Sequence, residues 1–275
     1  MKTVPESQAV VPRTEAAVTP FQVVDALHEA FGNYPGARAM HARGIILKGF
    51  FKPARKARQL TTAPHLQGEA VPVTVRFSDF TGVPTMPNTE GSASPRGLAI
   101  KFHLPGGAAT DIITHSFNGF PVATTRALRE LMLAIGASRH AAGKPTALDQ
   151  FLAAHPAAKT FMTTQKPLPV SYATLAYYGV NSFKFTNAAG VSRFIRYQLV
   201  PAAGEAFLTP PQAALAGPDY LMQEIRQRVS SGPAAFTLCV QLAEAGDAVE
   251  DPSVAWPGDR KKRLLGMIEI SKVTA

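Results

Sequence analysis

Four short segments carry side chains that could do chemistry together. Arg38-Ala-Met-His41-Ala-Arg43-Gly44 sets an imidazole between two guanidiniums, and Arg76-Phe77-Ser78 adds a third guanidinium and a hydroxyl. Ser94-Pro95-Arg96-Gly97 follows, and then Asp111 and Asn118. An imidazole titrates near neutral pH, so His41 can take a proton from one oxygen and return it to another. A hydroxyl such as that of Ser78 can fix the tautomer and orientation of the ring. A carboxamide at Asn118 can donate to developing charge without competing for protons, and the planar forks of Arg38 and Arg76 suit a carboxylate. Taken singly, each has an ordinary structural role: a packed histidine, a satisfied strand serine, an Asn-Gly turn, surface ion pairs. Their order along the chain argues for a site.

Such groups need rigid elements behind them. Residues 20–32 place apolar side chains at Val23, Val24, Leu27, Ala30 and Phe31, a helical spacing opened by Thr19-Pro20, so a helix should lead into the His41 segment. Residues 45–51, 71–77 and 98–104 read as strands, and 183–186 with 193–200 as a hairpin. Arg76 and Ser78 are two apart and therefore share one face of their strand. Helical spacing recurs over 124–136, 147–155 and 220–230, with Pro and Gly at the ends. Strands this numerous and non-local predict an α+β fold built on an antiparallel β-barrel with surrounding helices.

Composition bounds the function. With 275 residues, 46% of them hydrophobic and only 17% charged, the chain can bury one large core. The net charge of +9 favours anionic ligands, but the cations are dispersed apart from Arg260-Lys261-Lys262-Arg263. That run reads as a solvated turn before a final strand, and no nucleic-acid partner is expected. The single cysteine, Cys239, lies in an apolar run and reads as a buried structural thiol, and no Cys-based metal cluster can be drawn. Residues 1–19 are polar and proline-bearing, which predicts a mobile arm rather than a secretory signal or membrane span, with 20–275 as the folded domain in the cytoplasm.

The ordered segments resemble the haem catalase family, and in particular its short, catalase-related peroxidase branch, from about Pro20 onward. The resemblance implies an antiparallel barrel whose interior and helical surroundings enclose haem b, and peroxidase chemistry on hydrogen peroxide or organic peroxides with weak catalase activity. Peroxide and a small-molecule reductant would be its partners, and a homo-oligomer stays open. By position, His41 would be the distal acid/base, Ser78 its orienting hydroxyl and Asn118 the distal carboxamide. Arg38 and Arg76 would meet haem carboxylates, and Phe80, with Phe77, Phe117 and Phe120, would wall the flat ring, as an ordinary core would also use them. His115, to which no family role carries over, reads as structural.

The chain departs from the family pattern at the other face of the iron. Family members place a tyrosinate ligand in an R-x-x-x-Y segment beyond one resembling Asp251-Pro-Ser-Val-Ala-Trp256-Pro257, and no such segment follows here. Arg193 and Tyr197 have that spacing, but on a strand they stand roughly 13 Å apart. Tyr177, Tyr178 and Tyr220 lack the context as well, so the axial ligand is unassigned and no protein metal ligand is predicted. Two alternatives follow: a non-catalytic protein of the same fold, or a fatty-acid hydroperoxide isomerase. Met40 counts against the second, because that branch carries threonine before its histidine.

Overall fold

Nine antiparallel strands organise the described residues of the computed structural model, which are 17–274. Most of the expected arm over 1–19 lies outside them. The strands are β1 (Gly44–Pro53), β2 (Val71–Ser78), β3 (Gly97–His103), β4 (Ala109–His115), β5 (Tyr177–Tyr178), β6 (Phe183–Thr186), β7 (Ser192–Pro201), β8 (Ala234–Leu242) and β9 (Lys262–Val273). They pair in the order β5-β4-β3-β2-β1-β9-β8-β7-β6, and a further pairing of β5 with β7 closes eight of them into a barrel. β6 lies outside that ring as a hairpin partner of β7.

Alternation along the strands decides which side chains fill the barrel. Ile45, Leu47 and Phe51 of β1, and Val71, Val73, Val75 and Phe77 of β2, are buried inside it. Facing strands add Phe102 and Phe236, and the turn before β5 inserts Tyr172, which stacks on Phe77 with ring centres 5.2 Å apart. A barrel of eight strands has room for little more than its own side chains. The interior is accordingly a packed core, so the expectation that it helps to enclose a ligand is corrected. Arg76 and Ser78 do share a face, and it is the outer face of the wall.

Six α-helices accompany the barrel among the described residues, and Phe161 of one of them packs beside that outer face against Phe80 and His115. The helices are α1 (Pro20–Phe31), α2 (Thr125–Ser138), α3 (Ala147–Ala154), α4 (Pro156–Thr163), α5 (Pro210–Leu215) and α6 (Tyr220–Ser231). Thr19 and Gln22 cap α1 reciprocally, and Pro20 begins its first turn, as the sequence predicted. α1 packs on α2 through Ala26, Leu27, Ala30, Leu131 and Met132. A side chain at Gly136 would put its first carbon 2.8 Å from the Glu29 carbonyl oxygen, so that glycine permits the close crossing. None of the described helices is long and apolar enough to cross a membrane.

Candidate functional site

The His41 segment is stitched to the end of β2 before any side chain takes part. His41 N–H donates to the Phe80 carbonyl at 3.1 Å, Ala42 N–H to Thr81 at 3.1 Å, and Asp79 N–H to Arg43 at 3.0 Å. His41 has a positive φ of 54°, a conformation that costs a non-glycine residue about 1–3 kcal/mol. Arg76 supports the strained peptide by donating to the His41 carbonyl at 2.7 Å. A side chain at Gly44 would collide with this guanidinium, its first carbon 2.7 Å from Cζ. The shape of the segment is therefore set by backbone contacts that only the folded chain supplies.

Ser78 meets the ring of His41, with Nδ1 and Oγ 3.1 Å apart. Gly97, paired with Ser78 on β3, leaves the room: its absent Cβ would lie 2.6 Å from Ser78 Oγ and 2.9 Å from both Cε1 and Nδ1 of His41. Phe80 closes the other side edge-on, with ring centres 5.4 Å apart. Burial holds the His41 imidazole down at about 4 from the ordinary 6.5; the Arg76 charge adds to this, a backbone hydrogen bond at Asp79 opposes it, and Arg38 lowers it further. The ring is consequently neutral at physiological pH.

A buried polar cluster anchors the strand end behind this pair, and it was missed in the sequence apart from Arg96 as a motif residue. Asp79 and Arg96, both fully buried, form an ion pair, and Asp79 also accepts from Tyr172 Oη at 2.9 Å and Asn88 Nδ2 at 2.7 Å. Asn88 Oδ1 in turn accepts from the Leu221 N–H at 3.2 Å, tying in α6. A charge pair at such depth persists because its remaining polar atoms are largely met. The one sequence signal was adjacency, since Asp79 follows Ser78 and Arg96 precedes Gly97.

A mostly apolar cavity of about 860 Å³ opens beside Met40 and Phe80 and runs under α2, α4 and α5, with Phe120 and Phe161 in its wall. Of the predicted residues, His41, Ser78, Arg76 and Phe80 come together beside it, and Phe80 is the one of the four that lines it. Arg38 lies on the surface, near enough for its charge to act on both His41 and Arg76. Phe77 belongs to the barrel core, while Phe117 packs on Phe161 beneath the Lys166 ammonium. Asn118 is exposed and makes no hydrogen bond among the described residues. Among the described residues no tyrosine lines the cavity: Tyr172, Tyr177 and Tyr197 are in the core, and Tyr220 donates to the Pro169 carbonyl at 2.9 Å.

Fold and pocket together define a β-barrel protein that carries its reactive groups on the outside of the barrel wall, under a helical cover. A family model described as Catalase matches residues 2–256, and the chain belongs to the catalase family. It is 37% identical over 242 residues to a catalase-related peroxidase of Mycolicibacterium paratuberculosis, covering 87% of this chain and 76% of that one. A catalase-related peroxidase of Synechococcus elongatus is 32% identical over 268 residues, covering 96% and 78%. Among solved structures, a fungal catalase superposes with a TM-score of 0.76 at 19% identity, over 98% of this chain and 57% of that one. Catalase A of Saccharomyces cerevisiae gives 0.75 at 18%, over 99% and 59%, and both likenesses speak for the fold.

The family implies haem, and the residues present fit one face and one edge of it. A neutral imidazole beside an apolar cavity suits the distal face of a flat aromatic group. Arg38 and Arg76 form no ion pair among the described residues, and burial followed by their mutual repulsion lowers the pKa of Arg76. Two like charges near enough to repel suit the carboxylates of such a group.

Proposed function

We propose that this chain is a haem b-dependent peroxidase of the cytoplasm, acting on hydrogen or organic peroxides with a small-molecule reductant. The observation that carries this reading is the neutral His41, braced by Ser78 and packed on Phe80, which lines an apolar cavity. The names of its catalase-related peroxidase relatives support it. Haem, when bound, supplies the redox centre at which a peroxide O–O bond is cleaved.

In the tautomer in which Nδ1–H donates to Ser78 Oγ, His41 Nε2 keeps its lone pair. It can accept the proton of an incoming peroxide and then hand it to the departing oxygen. Depression of the His41 pKa keeps that lone pair free well below pH 7. Phe80 and Met40 restrict water beside the ring, and Arg38 and Arg76 would hold the haem carboxylates. Residues at the end of β2 thus orient a single proton carrier placed just before β1.

The test is to supply haem to the whole chain and record a Soret band together with peroxide consumption by wild type and His41→Ala. Wild-type protein showing neither signal sinks the reading; a His41→Ala loss of about 10²–10⁴ in rate supports it. One observation favours a second reading, a non-catalytic protein of this fold that holds an apolar ligand: no tyrosine among the described residues lines the mostly apolar cavity. The spectrum separates the two, because it reports the cofactor and its axial ligand together.

A further inference from the structure

His115 stands next to the pocket and the mechanism above leaves it unused. It ends β4 directly opposite Gly97, which on its other side is paired with Ser78. Opposed residues of antiparallel strands send their side chains to the same face, with Cβ atoms about 4.5–5.5 Å apart. His115 therefore projects from the outer wall beside the notch that Gly97 leaves open, and the ring of His41 occupies that notch. Its ring meets Phe120 and Phe161, each with centres 6.2 Å away, and both phenylalanines line the cavity.

The imidazole of His115 is only 8% exposed, yet neither of its ring nitrogens has a hydrogen-bond partner. An unsatisfied buried polar group costs about 1–3 kcal/mol, so the site maintains a donor and an acceptor that the protein itself leaves free. Burial, followed by the charges of His41 and Lys166, holds this ring at about 4, which keeps it neutral, with one N–H to give. Asn118, three residues on, is exposed.

We propose that His115, rather than Asn118, is the second hydrogen-bonding group of the peroxide site, donating to an oxygen of the peroxide whose proton His41 accepts. This rests on the peroxidase reading above and adds a residue to it. A neutral donor fixed in a dry wall orients the peroxide and stabilises charge as it develops, without reorganisation. The proposal also accounts for Gly97, whose missing side chain lets the two imidazoles approach one space.

The test uses the whole chain supplied with haem, as wild type, His115→Leu, His115→Asn and Asn118→Ala. Three quantities are read: cyanide affinity by optical titration, peroxide consumption, and the thermal midpoint. His115→Leu should weaken cyanide binding about tenfold and slow peroxide consumption about 10²-fold, with an unchanged or higher midpoint. His115→Asn should retain most of both functions, and Asn118→Ala should match wild type. Leucine at 115 leaving both functions within about twofold of wild type, or Asn118→Ala causing the loss, overturns the proposal. Should the leucine variant not fold, His115→Ala is measured with and without added imidazole: recovery supports the assignment and no recovery overturns it. Wild type lacking a Soret band and peroxide consumption refutes the peroxidase reading itself and this assignment with it, whereas active wild type with an indifferent position 115 refutes the assignment alone.

Discussion

Replacing Gly97 by alanine sets two effects of opposite sign against each other. Glycine inside a strand costs about 0.5–1 kcal/mol relative to alanine, so on an open strand the substitution would stabilise. Here the new carbon would lie 2.9 Å from Nδ1 and Cε1 of His41 and 2.6 Å from Ser78 Oγ. Comfortable contact begins at about 3.5 Å, leaving shortfalls of about 0.6 Å at the ring and 0.9 Å at the hydroxyl. The 3.1 Å contact between Nδ1 and Oγ is already at the long end of the normal range, so a ring displaced that far loses it. Overpacking of this kind costs about 1–3 kcal/mol, which outweighs the strand gain. A misplacement near 1 Å costs about 10²-fold in rate. Gly97→Ala should therefore lower the melting temperature by a few degrees and peroxide turnover by about 30- to 100-fold, with the Soret band retained. A variant that melts higher than wild type and turns over within about threefold of it would refute the steric reasoning.

Other perturbations test other parts of the structure. Arg96→Met leaves Asp79 buried without its ion pair and should cost about 3–5 kcal/mol, read as a melting point lower by about 10 °C; a shift under about 3 °C would show that the cluster anchors little. His41, His65 and His115 are each held at about 4 by burial, against 6.5 unfolded. The unfolded chain binds more protons between those values, so stability present above pH 6.5 is lost as pH falls toward 4, by up to about 1.4 kcal/mol per pH unit for each ring. Urea denaturation from pH 7 to 4.5 should show this loss, and His65→Leu should flatten it; equal slopes in the two proteins would contradict the assignment of a neutral, unpartnered His65. Arg76→Met removes the support of the His41 carbonyl and, on the proposed function, the group that would pair with a haem carboxylate, so haem affinity should fall about tenfold or more, and an unchanged affinity by optical titration would separate Arg76 from haem.

Much of the secondary structure was legible because it is local. The capping signal at Thr19-Pro20 and the apolar spacing that follows specify α1, and alternating β-formers mark β1, β2 and β3 to within a residue or two. The run from Phe236 to Val240 likewise falls within β8 and buries Cys239. Arg260 closes a turn onto Asp247, and β9 begins at Lys262, as the basic run suggested. The two-residue β5 could not be found this way. It is too short to show a period, and it exists only because β4 and β7 bring their edges to it.

The site divides along the same line. Residue order, read as a family resemblance, marked an imidazole, a hydroxyl, a carboxamide and two guanidiniums as one chemical set, and a period of two put Arg76 and Ser78 on one face. Which face that was depended on barrel closure, since filling a small ring of strands with Phe51, Phe77, Phe102 and Phe236 leaves the pocket only the outer wall. The family resemblance pointed to Asn118 and read His115 as structural, but the end of β4 falls between them, and it is His115 that is buried, against Phe161 of α4, while Asn118 is exposed. Gly97 carried no chemical signal at all, and its importance is the absence of an atom where strands from three parts of the chain converge. Local periodicity determined the elements and the inventory of groups; burial and close approach, which depend on residues distant in sequence, decided which of those groups meet.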